Sequence, residues 1–167
     1  MDDRELVARQ LGRQPRAFRR VAVRCPHGFP AVTEQEPYDA SGEPFPTTYY
    51  LTCPQLVAAL ARLEAGGGVE RWDRAVSVEP DLAASLRAAS EDQRRIRHEL
   101  AGTARGRDQG ESLDYGVAGS RAPDHLKCLH AHVAYALARP GYELGERIRA
   151  ATIRPYGVDL GEDALGR

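Results

Sequence analysis

Within seven residues, 126-LKCLHAH-132, the chain places one of its three cysteines and two of its five histidines. Thiolate and imidazole are strong ligands for transition metals, and side by side they also make a nucleophile and its base. On a helix at about 100° per residue, Leu126, Leu129, Val133 and Leu137 form one apolar stripe, while Cys128 and His132 share a neighbouring face with His125 one turn earlier. A helix that starts after Cys128 instead turns Cys128 and His130 inward. The sequence leaves both geometries open.

The other two cysteines stand at punctuation points. In 25-CPHG-28, proline and glycine dictate a tight turn whose backbone N–H groups can face the sulfur of Cys25. In 52-TCP-54, Pro54 suits a first helical turn, so Cys53 becomes the N-cap and its sulfur sits at the positive end of the helix dipole. Three such sulfurs and one histidine, His130 or His132, compose a Cys3His set, the donor set of a tetrahedral zinc site. No C-x2-C pair supports it, and buried cysteines also serve as small hydrophobes.

Four readings of the cluster follow. A closed shell gives a structural zinc domain that binds a partner. An open fourth position gives a metal-dependent hydrolase or transferase, with His130 or His132 carrying the proton and Arg24, Arg121 or Lys127 holding an anionic, phosphorylated substrate. Three cysteines with one other ligand also suit an iron-sulfur cluster. Without metal, Cys53 becomes a low-pKa nucleophile paired with histidine.

The rest of the chain narrows the partners. The loop 116-GVAGSRAPDH-125 leads towards a helix start and resembles a phosphate cradle, but it lacks the Walker spacing. Arg13, Arg16, Arg19, Arg20 and Arg24 form the densest basic patch. With 24 acidic against 23 basic residues and a formal net charge of -1, a solvated strand face is the better reading than a nucleic-acid surface. Hydrophobic residues at 42% and charged residues at 28% describe a globular chain. Neither a long apolar run nor a basic leader occurs, which points to a cytoplasmic protein without a membrane span. An odd, sparse cysteine count argues against a disulfide framework. The partner expected is an unidentified protein or a small anionic ligand.

These residues need elements to hold them. The spacing predicts a helix over Arg4 to Leu11 capped by Asp3, a hairpin from 18-FRRVAVRC-25 and 31-AVTEQ-35, and a third strand at 47-TTYYLT-52. A helix over Pro54 to Ala65 ends at the glycines Gly66 to Gly68. The longest helix covers 80-PDLAASLRAASEDQRRIRHELAG-102, with only Gln93 interrupting its stripe and His98 on the solvated side. A long loop runs from Gly102 to Pro123, followed by a helix from Asp124 to Ala138 and a weaker one over Glu143 to Ala151. The architecture is α+β: a small antiparallel sheet of about three strands packed with three to four helices. It reads as a helical arm (1–15), one domain (16–155) and a tail (156–167).

The fragments 24-RCPHGFPAV-32, 43-EPFPTTYYLTCP-54 and 127-KCLHAH-132, in this order, resemble a bacterial family of unknown function, DUF501, best represented in actinobacteria. The resemblance runs from about Arg13 to Gly145. It implies that Cys25, Cys53, Cys128 and His130 recur together, and that histidine can replace cysteine at position 53, an exchange a zinc ligand tolerates. It implies no activity.

Overall fold

Asp2 opens the first helix by a capping box: its carboxylate accepts the Glu5 amide at 2.8 Å while Glu5 reaches back to the Asp2 amide at 3.1 Å. The cap therefore falls one residue before the expected Asp3. In this computed structural model, which describes residues 1–122 and 124–156 (side chains to 153), helix α1 spans Asp3–Leu11. Most of the tail expected at 156–167 lies outside the described residues.

Strand β1 (Phe18–Arg24) pairs antiparallel with β2 (Pro30–Gln35), and β2 with β3 (Tyr49–Leu51), giving one sheet in the order β1-β2-β3. The central strand is buried along its whole length, so its polar residues must find partners inside. Glu34 takes Arg20 at 2.7 Å and Arg19 at 3.2 Å, and Gln35 donates to Thr33 at 2.6 Å. Arg16 pairs with Asp39 and Arg24 with Asp3. Four of the five patch arginines are thus spent on neighbouring carboxylates.

Among the described residues six α-helices pack with the sheet and with one another, more than the three to four expected. Helix α2 (Pro54–Ala65) has the predicted bounds, and α4 (Pro80–Ala101) differs from its predicted span only at the glycine after it. Between them lies α3 (Gly68–Val78), which the glycine run conceals. Gly68 is buried, and a Cβ there would meet the Leu63 carbonyl oxygen at 2.6 Å. The third glycine therefore starts the next helix at a close backbone approach instead of ending a loop.

Helix α5 (Leu129–Ala138) packs on the sheet, and α6 (Glu143–Tyr156) packs on α5, α2 and α4. The α5–α6 contact is backbone-close: a Cβ on Gly145 would strike the His132 carbonyl oxygen. Leu56, Leu60, Leu82, Leu129, Leu144 and Ile148 fill the shared core. The segment after α4 is knitted in by Arg97, whose fully buried guanidinium donates to the Ser112 carbonyl at 3.0 Å and the Phe45 carbonyl at 2.9 Å. Gln93, the interruption in the apolar stripe, donates to the carbonyls of Tyr115 and Gly116. Among the described residues no helix is long and apolar enough to cross a membrane.

Candidate functional site

Residues 124–128 do not join α5. Asp73 of α3 captures the Leu126 amide at 2.9 Å and faces the His125 ring at 3.2 Å, which holds the segment extended and starts the helix at Leu129. Cys128 becomes its N-cap. Of the two geometries the sequence allowed, the later helix start is the one formed. Cys53 likewise stands at the N-cap of α2, as predicted, and Cys25 ends β1 with its amide donating to Phe29 at 2.9 Å.

All three cysteines line a cleft beneath α1 that is divided into two chambers. The first, of about 420 Å³, is walled by Cys25, His27, Phe29 and Cys53. The second, of about 440 Å³, is walled by Tyr49, Tyr50, Thr52, Cys128 and His130 among others. Gln10 and Pro54 belong to both and form the partition.

The three thiols are divided between the two chambers, Cys25 and Cys53 on the first and Cys128 on the second. Cys25 and Cys53 follow β1 and β3, which flank β2 on its two edges, and both face the first chamber. Cys128 opens on the other chamber. Burial pushes its thiol pKa up, and the Glu64 carboxylate adds to this, while the amides of Ala131 and His130 pull the other way. Among the described residues no group of three or more His, Cys, Asp or Glu side chains is arranged to hold a metal ion.

The two histidines diverge. His130 lines the second chamber, but its Nδ1 faces Glu64 at 3.0 Å and its Nε2 faces the Val57 carbonyl at 3.2 Å, so neither nitrogen is free in this arrangement. His132 lines neither chamber. It is fully buried, with Nδ1 2.8 Å from the Tyr142 hydroxyl and Nε2 without a partner, and burial holds its pKa down at about 4. The expected face shared by Cys128 and His132 does not form, because Cys128 precedes the helix.

The three candidate anion-binding cations line neither chamber. Arg24 grips both oxygens of Asp3 at 2.7 Å, Arg121 pairs with Glu111 at 2.8 Å and lies over Tyr115, and Lys127 donates to the Gly119 carbonyl at 3.0 Å. Sequence reasoning missed Gln10, Thr52 and Glu64. His27 carried a signal, the C-P-H spacing that puts it beside Cys25. Glu64 carried none, because its partner is 66 positions away.

The elements and cleft describe an α+β chain whose cysteine-bearing segments meet under an added N-terminal helix. The family model described as protein of unknown function (DUF501) matches residues 21–149, and the chain belongs to that family. Helix α1 precedes the matched range. No curated protein and no solved structure matches the chain.

Proposed function

We propose that this chain is a binding domain that works through the cleft under α1, and that the thiols of Cys25, Cys53 and Cys128 are the ligands of any zinc it holds. One observation carries the reading: three cysteines from distant segments line two chambers with a common partition. The walls favour binding over catalysis. The Cys128 thiol is raised by burial, the His130 ring is tied at both nitrogens, and the cations a phosphorylated substrate would need are paired elsewhere. A zinc ion, with metal–sulfur bonds of about 2.3 Å, would draw the three thiols together, with His130 or His132 as the candidates for its fourth ligand.

Elemental analysis of chain purified without chelator tests this. Near-stoichiometric zinc that is lost in Cys53→Ser supports zinc on these thiols. Bound iron with visible colour replaces zinc by an iron-sulfur cluster. Metal-free protein whose three cysteines all alkylate once unfolded removes the metal and leaves only the cleft.

A further inference from the structure

We infer that the second chamber is a binding site for a small uncharged molecule with a planar, largely apolar body and at least one hydrogen-bond donor. This goes beyond the zinc reading and does not depend on it.

Size and walls come first. About 440 Å³ lies in the range of small-molecule sites, which are concave and mainly apolar with a few polar groups. Leu11, Leu51, Pro54, Val57 and Ala131 supply the apolar surface, with the rings of Tyr49 and Tyr50 beside them. Tyr50 is set edge-on by Phe45 at 6.1 Å between centroids, which fixes a flat wall.

Charge decides the ligand class. Among the described residues no Asp, Glu, Lys or Arg lines this chamber. Its one histidine, His130, is committed to Glu64 and to the Val57 carbonyl. A charged ligand would leave water and find no counter-charge, whereas a neutral one gives up little.

The polar atoms decide what the ligand must offer. Thr52, 1% exposed, lines the chamber, and its Oγ1 has no partner among the described residues. The Gln10 side chain donates to the Pro30 carbonyl at 2.8 Å, which fixes its orientation and leaves Oε1, also unpartnered, as an acceptor. Buried polar groups are nearly always paired, and of the buried polar atoms without a partner among the described residues these two alone belong to residues lining the chamber. A donor from the ligand satisfies Gln10, and Thr52 either donates or accepts. Both oxygens are shut off from water, so a ligand's donor gains them only by a local shift of the wall around it.

An isosteric series tests the inference on the full chain by amide and side-chain NMR titration. The probes are benzamide (neutral donor), benzoate (anion) and benzamidine (cation). Benzamide is expected to shift the Gln10 side-chain amide and the backbone of Thr52 and Ala131, and to bind at least about tenfold more tightly than either ion, since a site lined by neutral polar groups rejects a mismatched isostere. Thr52→Val and Gln10→Leu are each expected to weaken benzamide about fivefold or more, with the rest of the spectrum retained. Equal or tighter binding of benzoate or benzamidine overturns the inference, as does a titration without shifts at these residues or one that neither substitution changes. Repeating the titration on zinc-loaded and chelated protein separates the two readings: loss of benzamide binding in both leaves the thiol–zinc reading standing, and metal-free protein that binds benzamide leaves this one.

Discussion

Glu64 and His130 close the gap between α2 and α5: one carboxylate oxygen lies 3.0 Å from Nδ1 of His130 and accepts the Leu129 amide at 2.6 Å. Glu64 thereby does for α5 what a capping residue usually does from inside the same helix. The histidine singled out in the sequence as a candidate ligand faces, in the fold, the Glu64 carboxylate and the Val57 carbonyl.

Glu64→Ala should therefore destabilise the chain by about 1–3 kcal/mol, the cost of leaving a partly buried donor unpaired. The two side chains are 24% and 26% exposed, which sets the pair apart from a surface ion pair of little worth. Urea denaturation measures it. A variant as stable as the parent would mean that Glu64 does not hold the helices together.

His132 should give stability a pH dependence between about 6.5 and 4. Its folded pKa, about 4, lies below the ordinary 6.5 because burial disfavours the charged ring, so the unfolded chain binds the proton more readily. Stability is complete above the unfolded pKa and falls as pH drops towards the folded one, by on the order of 3 kcal/mol at about 1.4 kcal/mol per unit. His132→Gln should flatten this window in denaturation curves collected from pH 7 to 4. An unchanged slope would assign the dependence to other groups.

The difference between the sequence reading and the fold lies in where partners sit. β1, β2, α2 and α4 were legible because their signals are local: alternating apolar residues, Pro54 at a helix start, a long apolar stripe. The start of α5 was not, because Asp73, over 50 positions away, withdraws Leu126 from the helix. Helix α3 was hidden by Gly68, whose role is contact with Leu63. For the site, the three cysteines were legible as chemistry and as cleft-lining residues, but the His130 role depends on Glu64 and the partition on Gln10, neither of which any spacing marks.

Arg97→Met should loosen the segment that follows α4. The buried guanidinium, whose pKa desolvation pulls down to about 10, spends its N–H groups on carbonyls of Phe45 and Ser112. Methionine fills much of the volume but leaves those carbonyls unpaired, at about 1–3 kcal/mol each. Limited proteolysis should then cut between residues 102 and 122 before it cuts elsewhere. Parental resistance would mean that other contacts hold the segment.

Alkylation of the native chain should modify Cys25 first. It is only half-buried, whereas Cys53 is 8% exposed and burial holds the Cys128 thiol protonated. Mass spectrometry against time gives the order. Faster labelling of Cys53 would show that α1 leaves the cleft open in solution.

The backbone contact at Gly145 sets a limit on how this chain can vary. Since Gly145 of α6 rests on the main-chain oxygen of His132 and against the Cβ of Ala136, the approach of the two helices leaves no room for a side chain at position 145. Apolar neighbours such as Leu144 and Ile148 can exchange for others of similar volume, but adding a single methyl group at position 145 would wedge the helices apart and, through α5, disturb the cysteine that caps it.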